Sequence, residues 1–146
     1  MKGCMNMVKF ITGAKGSGKT KWLIDSANQE YKSGNGNIAF IDTDDDHIFS
    51  LDFNVRLINV TEYKVRSLPA LYGFVCGMLA MDYDLEKIYV DSVYKLIKFE
   101  DEDLDRIYKD LNEIAEANNA DIYINIDKLT SEMPESLRAY CEEASL

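Results

Sequence analysis

The sequence predicts a single α/β domain: a mostly parallel, five-stranded sheet covered by helices on both faces, in a three-layer α/β/α arrangement. Short runs rich in β-branched and aromatic residues alternate along the chain with segments of helical periodicity, a pattern typical of βαβ units. The length of 146 residues suits one domain over 1–146, and no repeat, low-complexity tract or linker-like segment divides it. Residues 1–6 are expected to form a loose N-terminal extension, because the first strand-like residue is Val8.

Five short apolar runs predict the strands of the sheet. The first run ends directly in Gly13, and the last carries isoleucine at every second position, which is the period of a strand. The predicted strands are Val8–Thr12, Ile38–Asp42, Val55–Val60, Lys87–Asp91 and Asp121–Asp127. Ligands of parallel sheets bind beyond the carboxyl ends of the strands, so functional residues are expected directly after these runs.

The segments between the strands predict the helices. They are Lys19–Tyr31, Leu68–Met81, Asp101–Asn118 and a short helix near Pro134–Cys141. The second of them is apolar nearly all round and too short to span a bilayer. We expect it to be buried on the sheet, where Gly73 and Gly77 permit a close approach; an exposed helix would instead form a dimer surface.

Charge and cysteine content narrow the classes of partner and compartment. Lys and Arg number 16 against 26 Asp and Glu, a net charge of −10 without a visible basic face, which disfavours nucleic acid as the main partner. Cys4, Cys76 and Cys141 are widely spaced and form no CxxC pair, which argues against a disulfide framework or a structural zinc site. No apolar run of signal-peptide length follows the start, so we expect a cytoplasmic protein without a membrane segment.

The strongest chemical signal is a glycine-rich loop between the first strand and the first helix. Residues 13–20 match the Walker A motif, G-x-x-x-x-G-K-[ST], at every fixed position. Glycines with positive φ would turn main-chain N–H groups towards an anion, Lys19 would reach the β- and γ-phosphates, and Thr20 would offer a hydroxyl to Mg²⁺. The predicted nucleotide-binding residues are Gly13, Ala14, Lys15, Gly16, Ser17, Gly18, Lys19, Thr20 and Lys21. The sequence therefore predicts a P-loop NTPase fold that binds ATP or another nucleoside triphosphate with Mg²⁺.

Acidic residues at two further strand ends complete the predicted site. Asp91 ends an apolar run in the manner of a Walker B strand and is expected, with Thr20, to hold the metal ion. Many P-loop ATPases follow this Asp with a catalytic Glu, but Ser92 follows here. Asp42 and Asp44 are candidates for the missing base, although their acidic run also suits a solvated turn. His47, the only histidine, is expected to be a structural or loop residue and rules out a calcium loop by replacing its turn glycine.

Several segments resemble a group of short bacterial P-loop ATPases that are RecA-like and often described as ATP-binding or twitching motility proteins. The similar segments are VKFITGAKGSGKTKWLIDSAN, IAFIDTDDDHIFSLD, VRLINVTEY, LYGFVCGMLAMDYDLEKIYVDS and ADIYINID. The resemblance implies nucleotide binding by Lys19, Thr20 and Asp91, with the last strand between the first strand and the Walker B strand. It also implies that Asn125 or Asp127 senses the γ-phosphate. The histidine- and aspartate-rich boxes of pilus-retraction ATPases are not found, so a motility role is not expected.

Three functions compete for such a site. The leading expectation is a Mg²⁺-dependent ATPase of weak turnover, acting as a switch or assembly ATPase. A nucleoside-type small-molecule kinase would need an acceptor pocket and usually an arginine-bearing lid, yet only four scattered arginines occur. A non-catalytic nucleotide-binding module is the third alternative. The oligomeric state stays open between a homo-oligomer, a complex with an unidentified protein and a single chain, although an arginine finger supplied by a neighbour would favour self-association.

Overall fold

A six-stranded sheet forms the centre of the fold, which the computed structural model describes over residues 6–34 and 36–145. The elements in chain order are β1 Val8–Thr12, α1 Lys19–Lys32, β2 Asn37–Asp42, β3 Arg56–Asn59, α2 Leu68–Met81, β4 Leu85–Val90, α3 Asp101–Asn118, β5 Asp121–Asn125 and β6 Cys141–Glu143. The strand order is β3-β2-β4-β5-β1-β6, and all pairings between these described strands are parallel. The predicted α/β class and parallel sheet are confirmed.

Alternating side chains give the sheet two apolar faces, each covered by helices. Ile41, Val90 and Ile124 point to the face on which α2 and α3 pack, where they join the larger core. Phe40 and Tyr89 point to the opposite face, where they pack with the buried side of α1. Helices therefore lie on both faces, compatible with the predicted three layers.

The predicted number of five strands is wrong, because a sixth strand lies at the edge beside β1. This strand, β6, pairs with β1 through only three residues, two of which are the exposed Glu142 and Glu143. An edge strand of this kind buries one side at most, so it carries no alternating apolar pattern. The short helix predicted near Pro134–Cys141 is a 3₁₀ segment at Glu135–Tyr140, and the chain turns into β6 directly after it.

The α2 helix packs on the sheet through one stripe only. Leu71, Val75 and Leu79 are buried, as predicted for a helix on the sheet. The predicted close approach at Gly73 and Gly77 is wrong, since a Cβ atom added at either position meets nothing within 4 Å. Both glycines line an open groove of about 680 Å³ between α2 and the β2–β3 edge of the sheet.

The chain before β1 is described only from Asn6 onwards. The predicted loose extension at 1–6 therefore lies outside the described residues except for Asn6, whose side chain accepts a hydrogen bond from Tyr108 at 2.8 Å. Among the helices of the described residues, none has the length and apolar character needed to cross a membrane.

Candidate functional site

The register of the strands and the alternation of side chains between the two faces bring three polar residues together at the carboxyl end of the sheet. Ile41 pairs with Val90 and Val90 pairs with Ile124, so the residues that follow them, Asp42, Asp91 and Asn125, form a row across β2, β4 and β5. Each lies two positions after a residue on the α1 face and therefore points to that same face. The row is buried, with exposed fractions of 2%, 1% and 0% for the three residues.

The glycine-rich loop joins β1 to α1 above this row. Gly13, Gly16 and Gly18 have φ values of +146°, +79° and +94°, which confirms the predicted positive φ at all three positions. Gly13 is fixed by the hydrogen bond from its N–H to the carbonyl of Lys128, at 2.7 Å. Gly18 is the left-handed N-cap of α1 and makes no side-chain cap, so the first turn of the helix presents its N–H groups beside the loop.

Lys19 lies at the start of α1 with its ammonium group inside the loop. Its Nζ donates to the carbonyl oxygens of Gly13 and Ala14, at 3.1 and 3.0 Å. Burial lowers the pKa of Lys19, while the charges of Asp127 and Asp91 oppose that shift. The lysine therefore places a cation at the mouth of the loop, where main-chain carbonyls are its hydrogen-bond partners among the described residues.

Asp91 is the centre of a hydrogen-bond network that connects β4 to α1 and β5. Its Oδ1 accepts from the Thr20 hydroxyl at 2.9 Å, from the Ser92 hydroxyl at 3.2 Å and from the Asn125 amide. The amide oxygen of Asn125 accepts from the main-chain N–H of Ser92 at 2.6 Å and so holds Ser92 in the left-handed region, at φ 60°. The structure thus brings together Thr20 and Asp91, the two predicted metal ligands, and places Asn125 behind Asp91.

Asp42 lies beside Asp91 in the same row. Its Oδ1 accepts from the main-chain N–H of Thr43 at 2.7 Å, whereas its Oδ2 is buried and has no hydrogen-bond partner in the part of the chain that the structure describes. Burial, followed by the neighbouring charge of Asp91, raises the pKa of Asp42 to about 7. Asp44 lies further along the loop, where its carboxylate accepts from the main-chain N–H of Asp46 at 2.9 Å.

A cleft of about 610 Å³ opens beside the glycine-rich loop. Its described lining residues are Lys15, Gly16, Gly18, Lys19, Thr20, Lys21, Ser92, Tyr94, Lys95 and Asp127. Asp127 is the one carboxylate in that lining, and neither Asp42 nor Asp44 belongs to it. Tyr94 and Lys95 were missed from the sequence, because their 3₁₀ turn after Ser92 has no motif of its own. The cleft is nevertheless rich in lysine although the chain carries a net charge of −10.

A scan against protein-family models finds no match for this chain, and a search of curated proteins finds no relative. What the site can bind follows from its own geometry. An open cleft that combines a glycine-rich loop, a helix N-terminus and four lysines suits a polyanion such as a phosphate chain. A hydroxyl joined to a buried carboxylate at its floor suits a hard divalent cation.

Proposed function

We propose that this chain is a P-loop nucleotide-binding protein with a RecA-like fold, which binds a nucleoside triphosphate, with ATP as the expected one, together with Mg²⁺. The observation that carries the proposal is the hydrogen bond from Thr20 to Asp91, at 2.9 Å, at the foot of the glycine-rich loop. It joins the hydroxyl of the Walker A motif to the acid of the Walker B strand, the pair of groups that holds Mg²⁺ in P-loop NTPases. The position of β5 between β1 and β4 agrees with the strand order that the family resemblance implies.

The polar side chains at the loop fit both a phosphate chain and a Mg²⁺ ion. The Ser17 hydroxyl oxygen is buried without a hydrogen-bond partner among the described residues, in the glycine-rich loop beside Gly13. A phosphate oxygen is an acceptor that would satisfy it. Thr20 and Asp91 supply the oxygen ligands that Mg²⁺ prefers, and the bound ion would neutralise phosphate charge.

Lys19 supports the same proposal through its present partners. The ammonium group donates to two carbonyl oxygens, which are neutral acceptors, and burial disfavours its charge. A phosphate oxygen would replace these acceptors with a charged one at little cost in position, because the lysine already points into the loop. Hydrogen bonds to charged groups contribute about 1.5–3 kcal/mol each. Removal of the ammonium group is therefore expected to weaken binding by roughly 100-fold or more.

Turnover is expected to be slow, which favours a switch or assembly ATPase. Asp42 is 2% exposed and belongs to the buried row of polar residues under the loop, and it does not line the cleft. An attacking water in the cleft therefore has no access to its carboxylate in this arrangement. Ser92 occupies the position after Asp91 and has no carboxylate. Asp127 is exposed on the cleft and is the remaining candidate to orient water there. Catalysis would thus depend on positioning by Lys19 and the main-chain donors.

The proposal is tested by titration calorimetry with ATP, ADP and GTP, with and without Mg²⁺, followed by phosphate release. Trp22, the only tryptophan, lies two residues after Thr20 and provides a fluorescence signal for the same titration. Lys19→Ala should weaken nucleotide binding by roughly 100-fold or more, whereas Lys32→Ala, which removes an equal charge from the exposed far end of α1, should retain wild-type binding. Wild-type affinity in Lys19→Ala would refute the nucleotide assignment.

A kinase remains the second candidate because the cleft extends beyond the loop to Tyr94 and Lys95. These side chains would provide an acceptor pocket with an aromatic wall. ATP-dependent phosphorylation of nucleosides at ordinary enzyme rates would favour this function over hydrolysis. Tight binding without phosphate release or transfer would instead favour a non-catalytic module.

A further inference from the structure

A histidine and two carboxylates meet at the end of β2 and β4, next to the cleft. One oxygen of Asp42, one oxygen of Asp91 and one ring nitrogen of His47 all lie within 4.8 Å of one another. The two carboxylates occupy neighbouring positions in the buried row, and His47 reaches them from the loop that joins β2 to β3. Like charges placed this close repel one another unless a proton or a cation lies between them.

The second, independent observation is the state of the Asp42 side chain. Asp42 is 2% exposed, and its Oδ2 has no hydrogen-bond partner within the described residues. A buried carboxylate oxygen without a donor is costly and rare in a native fold. One His47 ring nitrogen lies within 4.8 Å of an oxygen of each carboxylate. A divalent cation would satisfy the orphaned oxygen and balance both carboxylates.

We propose that Asp42, His47 and Asp91 bind a divalent transition-metal ion, of the Mn²⁺ or Zn²⁺ class, directly and without nucleotide. An imidazole nitrogen suits first-row transition metals, whereas Mg²⁺ prefers oxygen ligands and keeps its water. Neighbouring ligand atoms around an ion with bonds of about 2.1 Å lie roughly 3.0 Å apart, so the cluster has to contract on binding. The loop that carries His47 has no helix or strand from 43 to 55, which permits this small movement.

The site shares Asp91 with the nucleotide-binding network but does not use Lys19 or the glycine-rich loop. Failure of one proposal is therefore distinguishable from failure of the other. In Lys19→Ala, nucleotide binding should weaken by roughly 100-fold or more while metal binding remains. In His47→Ala, the metal should be lost while Thr20 and Asp91 still carry the nucleotide-linked Mg²⁺.

The test is titration of metal-depleted, nucleotide-free protein with Mn²⁺ alone, followed by electron paramagnetic resonance. We expect one bound ion per chain, at least tenfold tighter binding than for Mg²⁺, and a ¹⁴N coupling in the pulsed spectrum. Because His47 is the only histidine, an imidazole coupling identifies it as the ligand. Asp42→Asn and His47→Ala should each weaken Mn²⁺ binding at least tenfold, whereas Asp45→Asn, in the exposed part of the same loop, should not.

Circular dichroism confirms that the variants fold, so that a loss of binding reflects the ligand set. Equal Mn²⁺ affinity in wild type and His47→Ala, or a spectrum without nitrogen coupling, overturns the proposal. So does a failure of the folded wild-type protein to bind Mn²⁺ more tightly than Mg²⁺. Zn²⁺ titrated in competition with Mn²⁺ should displace it from the same site, and independent binding of the two ions would also contradict the assignment.

Discussion

The buried carboxyl group of Asp42 should make the metal-free protein less stable as the pH rises to neutrality. Burial and the neighbouring Asp91 raise the pKa of Asp42 to about 7, from the ordinary aspartate value of 3.8. Between these two pKa values the folded protein holds a proton that the unfolded chain has lost. Folding therefore takes up a proton, and the free energy of unfolding falls as the pH rises. The stability gained from this proton on Asp42 is fully present below the unfolded pKa and is lost as the pH rises through the folded pKa.

Replacement of Asp42 by Asn removes this dependence with little change in shape. The amide oxygen can still accept from Thr43, and the amide nitrogen supplies a donor where Oδ2 has no partner. One pKa unit corresponds to about 1.4 kcal/mol. From pH 5 up to the folded pKa of about 7, the free energy of unfolding of the wild type falls over about two pH units, and above that pKa it levels off. The stability of Asp42→Asn relative to wild type should therefore increase by about 2–3 kcal/mol over that range.

The assay is urea unfolding of both proteins in EDTA at pH 5, 6, 7 and 8. The comparison cancels the titration of the remaining acidic residues, because both chains share them. Asp45→Asn is the matched control, since it removes one carboxylate from the exposed part of the adjoining loop and should give no such trend. A constant stability difference between Asp42→Asn and wild type across the range would refute a raised pKa at Asp42.

Three further changes test other parts of the structure. Gly13→Ala should weaken nucleotide binding at least tenfold by calorimetry, because the new Cβ would lie 2.3 Å from Ser17 Oγ at a φ of +146°. Gly77→Ala should raise the free energy of unfolding by about 0.5–1 kcal/mol in urea, since its Cβ meets nothing within 4 Å and alanine favours a helix; a loss of stability would contradict the open groove. Burial raises the pKa of the Cys141 thiol to about 11, from the ordinary thiol value of 9.0, so at pH 8 its alkylation, followed by mass spectrometry, should be roughly 100-fold slower than that of an exposed thiol. Alkylation at the exposed rate would contradict that burial.

The regular elements were largely predictable because their periodicities are strong. The bounds of β1, α2 and α3 agree with the sequence prediction at both ends. Each has a local signal: glycine after β1, Pro69 in the first turn of α2, and the apolar stripe of α3 ending at the left-handed Asn119. Local chemistry of this kind fixes where an element begins and ends.

What the sequence did not predict depends on contacts between distant segments. The strand β6 is recognisable only from its pairing with β1, because Glu142 and Glu143 have no strand-like pattern. The same holds for the groove beside Gly73 and Gly77, where an apolar, glycine-containing helix is equally compatible with burial and with exposure. The orientation of such a helix is decided by its neighbours on the sheet.

In the candidate site, the glycine-rich loop was predictable and the surroundings of Asp91 were not. The glycine pattern of residues 13–20 carries its own backbone requirements, and the φ values at Gly13, Gly16 and Gly18 agree with them. That Asp42 lies in contact range of Asp91 depends on the register between β2 and β4. A sequence reveals that both strands end in Asp, but the distance between the two carboxylates follows only once the strands are neighbours.

The register between β2 and β4, which places Asp42 beside Asp91, also implies that a bound cation should restore the stability that the ionised Asp42 side chain costs. In EDTA the buried, unpartnered carboxylate lowers the stability of the wild type at pH 8. A ligand that binds only the folded state adds about 2.7 kcal/mol at a hundredfold excess over Kd. This gain in the free energy of unfolding is similar to the stability difference expected between Asp42→Asn and the wild type. The variant has no carboxylate at position 42 to bind the ion. At saturating Mn²⁺ and pH 8 the wild type should therefore regain about that much stability relative to the variant in urea unfolding. An equal response of both proteins would mean that the ion does not reach Asp42.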